Sequence, residues 1–132
     1  VKKDKRIKVL LAKTSLDGHN RGIKVISKWL MDSGMEVVYL GMYQKETAVV
    51  KAAIDEDVDV IGLSFLGGEH LFSVKVIQEE IIKQNVGDIM FIVGGIIPRD
   101  DIDKLYDLGV DKVFIPGTPL KEISDCIKQH KN

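Results

Sequence analysis

The chain has 132 residues, 45% of them hydrophobic and 30% charged, the balance of one folded domain rather than of a disordered or fibrous chain. Nineteen basic against 20 acidic residues leave a net charge of −1, which speaks against nucleic-acid and anionic-membrane partners, and the most apolar stretch, residues 89–98, is far shorter than the roughly 18 to 20 residues of a membrane span. A lone cysteine, Cys126, rules out an internal disulfide and fits a reducing, cytoplasmic setting.

Residues 1–6, with Lys2, Lys3, Lys5 and Arg6 interrupted by Asp4, read as a solvated N-terminal arm, and the apolar run behind them is too short for a signal-peptide core. The first residue is Val1, compatible with a processed subunit or an excised domain. Short Val- and Ile-rich runs at 7–12, 36–40, 59–64, 89–93 and 112–115 predict strands, each apolar over much of its length as in a sheet covered on both faces. Between them, spacings of three and four predict helices: Ile23, Ile26 and Leu30, then Val50, Ala53 and Ile54, then Val74, Ile77 and Ile81, then Ile102, Leu105 and Tyr106. A last stripe, Leu120, Ile123 and Ile127, follows the fifth strand. Gly34, Gly87 and Gly109 stand where the first, third and fourth helices should stop.

Strand and helix alternate without a linker or repeat, so residues 1–132 read as a single α/β domain. A five-stranded parallel sheet of this size is most often wound 2-1-3-4-5, the flavodoxin-like, Rossmann-type arrangement with helices on both faces. Its topological switch falls between the first and third strands, where ligands bind. The loops leaving those strands, 13–21 and 64–70, are the most unusual segments of the chain.

Several occupants of such a fold are excluded by subtraction. There is no GxxxxGK[ST] loop and no GxGxxG after the first strand. A phosphate-receiver domain needs an acceptor Asp ending the third strand and a Lys ending the fifth, where this chain has Ser64 and Ile115-Pro116. A flavin-phosphate loop is rich in hydroxyls, whereas this one offers Thr14 and Ser15 before the charged Asp17-Gly18-His19. That triplet places an imidazole at a strand-to-helix turn with a carboxylate two residues before it. In isolation it reads as a helix cap beside a solvent-exposed histidine, and it lacks the further ligands of a zinc site.

Three motifs in order change that reading. Asp17-x-His19-x-x-Gly22 after the first strand, Ser64-Phe65-Leu66 after the third and Gly94-Gly95 after the fourth resemble the D-x-H-x-x-G, S-x-L and G-G signature of cobalamin-binding domains. With Ala12-Lys13, Asn20-Arg21, Ile96-Ile97-Pro98 and Pro116-Gly117-Thr118, the chain is similar to the cobalamin domain of methylmalonyl-CoA mutase and related acyl-CoA mutases, from about Arg6 to Ile127.

The resemblance implies a cofactor, adenosylcobalamin, bound with its nucleotide tail displaced from cobalt. His19 would take the vacated axial position on cobalt as a neutral imidazole. Asp17 would hold the other ring N–H, and Lys13 would lie beyond that carboxylate. Gly18, Arg21 and Gly22 complete the loop. Ser64 and Leu66 would stand at the entrance of the tail slot, Gly94 and Gly95 would let the tail pass against bare backbone, and Thr118 would meet its far end. Gly67, Gly68, Glu69 and His70 would shape the corrin edge or a partner contact, with capping of the third helix as the other reading. Asn20 departs from the aspartate common at that place, and the 67–70 segment from the small-residue loop of many mutases, which bears on substrate and partner. The implied activity is radical isomerisation of an acyl-CoA of the methylmalonyl, isobutyryl or 2-hydroxyisobutyryl type, carried out with a large barrel-type acyl-CoA-binding subunit. The alternative is a non-catalytic corrinoid carrier or cobalamin-responsive regulator.

Overall fold

A computed structural model describes residues 6–14, 21–41, 44–65 and 68–131. The elements run β1 (Lys8–Ala12), α1 (Arg21–Asp32), β2 (Glu36–Gly41), α2 (Glu46–Asp55), β3 (Val60–Phe65), α3 (His70–Lys83), β4 (Met90–Gly95), α4 (Arg99–Asp107), β5 (Lys112–Phe114) and α5 (Leu120–Lys131). The strands form one parallel sheet in the order β2-β1-β3-β4-β5, as the alternation of runs and stripes predicts.

Alternate residues of each strand feed two apolar layers. Val9, Leu11, Val60 and Ile92 pack under α1 and α5 with Ile23, Leu30, Ile123 and Ile127. Leu10, Ile61, Leu63 and Phe91 pack under the other helices with Val50, Val74, Ile77 and Leu105. The Trp29 indole donates to Ser124 Oγ at 3.1 Å and ties α1 to α5.

The first four helices end alike. The second residue past each C-cap sends its N–H back to the last turn: Met35 to Leu30, Val58 to Ala53, Val86 to Ile81 and Val110 to Leu105. Each of those residues is apolar, so the turn that satisfies the helix carbonyls also seats the chain for the next strand. At the end of α3 the left-handed residue is Asn85 (φ 58), not Gly87, which corrects the stop read from the sequence. Asparagine tolerates that conformation well enough to close the turn two residues earlier.

The strand ends also shift. β3 begins at Val60 rather than 59 because Asp59 works from outside the strand, its Oδ2 accepting the Lys8 N–H at 2.9 Å. β3 and β4 run on to Phe65 and Gly95, which pair across the ladder, and β5 stops at Phe114, short of the predicted 115, where Ile115 turns into Pro116. No helix among the described residues is long and apolar enough to cross a membrane.

Candidate functional site

The carboxyl ends of the strands open into a cavity of about 500 Å³ between the sheet and the first turns of α1 and α5. Of the residues singled out in the sequence, Gly22, Ser64, Gly94, Gly95 and Thr118 all line it, though they come from four different segments. Ser64 and Thr118 carry the only polar side chains among its described lining residues. The remainder of the wall, with Leu11, Ile23, Ile26, Ile92 and Phe114, is apolar. Its size falls within the roughly 300 to 1,000 Å³ of small-molecule sites.

The two glycines ending β4 differ in what requires them. At Gly95, φ is 119° and a Cβ would stand 1.9 Å from the Phe65 carbonyl oxygen, so only glycine fits. The Ile96 N–H reaches the same oxygen at 3.0 Å, so this close approach holds the β3 and β4 ends together. At Gly94 a Cβ would meet nothing nearer than the Phe114 carbonyl oxygen at 3.5 Å, an ordinary contact. The protein has room for a side chain there, and the space belongs to the cavity. At Gly22 a Cβ would meet no atom within 4 Å, which leaves the start of α1 bare toward the same space.

Thr118 closes a turn from Ile115, its N–H and its hydroxyl both donating to the Ile115 carbonyl at 3.2 and 2.6 Å. Pro116 and Gly117 (φ 90) occupy the central positions, the residue types that a type II turn favours. Lys13, just past β1, is 1% exposed, and Arg21 is the first residue of α1. Asp17, Gly18, His19 and Leu66 lie outside the described residues, as do Asn20 and Gly67.

The start of α3 departs from the capping alternative. Glu69 occupies the N-cap but makes no side-chain cap hydrogen bond. His70 turns inward, 3% exposed, and its Nε2 bonds Asp101 Oδ2 at 2.7 Å, tying α3 to α4. That bond, with help from Lys104, holds the Asp101 carboxyl below its ordinary range.

Sequence reasoning missed several wall residues. The spacing of Ile23 and Ile26 is that of sheet-facing packing, and no motif marks Gly62, Phe114 or Ile115, yet all five line the cavity. An available signal was Val25, an exposed apolar residue beside that stripe which also lines the cavity. Among the described residues no group of three His, Cys, Asp or Glu could hold a metal ion.

A parallel sheet whose carboxyl edge opens into an apolar cavity with few polar groups defines a small-molecule or cofactor-binding α/β domain. The B12 binding domain family matches residues 7–124, and the chain belongs to that family. It is 43% identical over 122 residues to the 2-hydroxyisobutanoyl-CoA mutase small subunit of Aquincola tertiaricarbonis, covering 92% of this chain and 90% of that one. To the pivalyl-CoA mutase small subunit of Xanthobacter autotrophicus it is 41% identical over 121 residues, covering 92% and 81%. In architecture it is similar to a cobalamin-binding protein from Desulfitobacterium hafniense, with a TM-score of 0.82, 21% identity, and coverage of 96% of this chain and 60% of that one, a likeness of fold.

Proposed function

We propose that the chain is the cobalamin-binding small subunit of an adenosylcobalamin-dependent acyl-CoA mutase, a single domain over residues 1–132 working in the cytoplasm with a large barrel-type subunit that binds the acyl-CoA. The observation that carries this reading is the cavity at the strand ends, where Gly22, Ser64, Gly94, Gly95 and Thr118 converge. A mostly apolar cavity with one hydroxyl at β3 and another beyond β5 fits a heteroaromatic base carried on a ribose phosphate. Relatives that are themselves small subunits of similar length support the division of labour.

On this reading His19 holds cobalt through one ring nitrogen, and Asp17 accepts the N–H of the other, fixing tautomer and ring direction. Lys13, buried at the end of β1, keeps the Asp17 carboxylate charged. Ser64 offers a hydrogen bond to the displaced base, Leu66 an apolar wall, and Gly94 an open passage. Gly18 and Arg21 shape the loop against the corrin, and Thr118 meets the far end of the tail. Bound adenosylcobalamin supplies a cobalt–carbon bond whose homolysis starts the radical rearrangement. The domain's part is to hold that cofactor with its tail buried while the partner excludes water from the reacting face.

The test is electron paramagnetic resonance of the cob(II)alamin form bound to protein labelled with nitrogen-15 histidine. A protein imidazole on cobalt converts the nitrogen triplet splitting to a doublet. A triplet that persists in the labelled protein identifies benzimidazole as the ligand and overturns the assignment of His19.

A further inference from the structure

On the face of the sheet opposite the cavity, three side chains from separate elements form a hydrogen-bonded line. Thr14 follows β1, Ser73 lies in the first turn of α3, and Glu46 opens α2. Ser73, 1% exposed on the buried stripe with Val74 and Ile77, donates to Glu46 Oε2 at 2.6 Å. Thr14 Oγ1 stands 2.9 Å from Ser73 Oγ. A serine hydroxyl has one proton to give. With that proton committed to the carboxylate, Ser73 accepts from Thr14, so the order of donation is Thr14 to Ser73 to Glu46. A bond to an ionised acceptor is roughly twice as strong as a neutral one, and a hydroxyl buried without a partner is costly. The direction of the Thr14 hydroxyl is therefore set from α2, through α3.

The backbone beside Thr14 is held as well. The Lys13 N–H donates to the Gly41 carbonyl and the Lys13 carbonyl accepts from the Gln44 N–H, both at 3.0 Å. Here the β1–β2 register shifts, Leu11 opposing Tyr39 and Ala12 opposing Gly41, and the Leu40 carbonyl accepts from Gln44 Nε2 at 3.0 Å. Such irregularities commonly re-aim a chain beside a functional site.

We propose that Glu46 is a positioning residue that, through Ser73 and Thr14, sets the direction in which the chain leaves β1 toward residues 15–20, and so the pose in which a corrinoid is held. The proposal rests on the cobalamin reading for its ligand. Glu46 itself touches no corrinoid, and because the line lies across the sheet from the cavity, its loss weakens full cobalamin and tail-less cobinamide alike.

The experiment combines corrinoid titration with three-bond couplings to the Thr14 γ-methyl carbon, which report its side-chain rotamer in the unliganded protein. Glu46→Ala should lower affinity for hydroxocobalamin and for aquacobinamide by about 10-fold, the low end of what partners behind a metal ligand contribute. The Thr14 couplings should become averaged. Glu46→Gln keeps an acceptor oxygen and should restore both readouts. Thr14→Val should lose as much affinity as Glu46→Ala, and the double variant should lose no more than either; should Glu46→Ala fail to fold, Thr14→Val against Glu46→Gln carries the test. Wild-type affinity together with a single Thr14 rotamer in Glu46→Ala overturns the proposal, as do additive losses in the double variant. If the wild-type chain binds neither corrinoid, the cobalamin reading falls, and the Thr14 rotamer alone then decides whether Glu46 positions this segment.

Discussion

The two glycines ending β4 make opposite predictions from neighbouring positions. At Gly94 a new Cβ has 3.5 Å to the Phe114 carbonyl and 4.0 Å to the Phe114 Cβ, so Gly94→Val folds and projects its methyl groups into the cavity. Overfilling a packed site costs about 1 to 3 kcal/mol, equivalent to about 5- to 150-fold in Kd, at 1.4 kcal/mol per tenfold. This loss should fall on hydroxocobalamin, whose nucleotide occupies the slot, and spare cobinamide, which has none. At Gly95 even alanine places a carbon 1.9 Å from a backbone oxygen at φ 119°, so Gly95→Ala should separate the β3 and β4 ends and lower the melting temperature before any ligand is considered. Absorbance titration with both corrinoids and thermal unfolding of both variants suffice. Equal losses for the two corrinoids in Gly94→Val, or a Gly95→Ala protein as stable as wild type, would refute the reasoning.

Further substitutions follow from the same geometry. Asp17→Asn should keep the fold and weaken cobalamin retention by about 10- to 100-fold, and unchanged binding would make Asp17 a turn residue. The Asp101 carboxyl, held low by His70 and then Lys104, contributes stability that is complete above its unfolded value of 3.8 and is lost as pH falls through the lower folded value. Urea midpoints measured from about pH 5 down to about pH 2 should therefore fall more steeply for wild type than for Asp101→Asn, and parallel curves would remove the pair from the account. Ser124→Ala leaves the Trp29 N–H without its acceptor and should cost about 1 kcal/mol in unfolding free energy, whereas no change would show that solvent replaces the bond. Alone and loaded with adenosylcobalamin, the chain should isomerise no acyl-CoA, and activity should appear on adding a large mutase subunit; turnover by the chain alone would end the small-subunit reading.

What the sequence made legible was what depends on local periodicity. Strands buried on both faces must be apolar along their length, so the five runs stood out and their alternation with helical stripes led to the sheet order. The α3 stop, at Asn85 rather than Gly87, is a local misreading; the larger ones are non-local. That β3 and β4 continue to Phe65 and Gly95 depends on one carbonyl meeting a residue 30 positions away, which no window of sequence reveals. The wall made by Ile23 and Ile26 has the same spacing as ordinary packing, because an apolar side chain facing a cavity and one facing a neighbour obey the same period. His70 with Asp101, and Thr14 with Ser73 and Glu46, join positions up to 59 apart. No single residue type points to the space that Gly22, Ser64, Gly94, Gly95 and Thr118 line; only the order of the motifs singles these residues out, since a serine ending a strand and a glycine pair after one are common in turns without ligands.

The two edges of the sheet explain why the cavity forms where it does. At the amino ends, carboxylates close the strands: Asp59 Oδ2 takes the Lys8 N–H and Asp111 Oδ2 takes the Phe91 N–H, while the Lys8 ammonium lies 3.5 and 3.2 Å from Glu36 and Glu56. The helix endings deliver Met35, Val58, Val86 and Val110 to that side, where each caps an apolar layer. At the carboxyl ends the chain uses Gly22, Ser64, Gly94 and Gly117, residues with little or no side chain, around the space that α1 and α5 would otherwise fill. An edge packed with Leu or Ile in those places would gain buried apolar area at roughly 25 cal/mol per Å². Leaving it open forgoes that stability within the domain, and a bound apolar group would supply the missing contacts. Ligand binding and stability are thus coupled through the same surface: a corrinoid whose tail enters the slot should raise the melting temperature, while cobinamide at equal free concentration, bound more weakly for want of a tail, should raise it less.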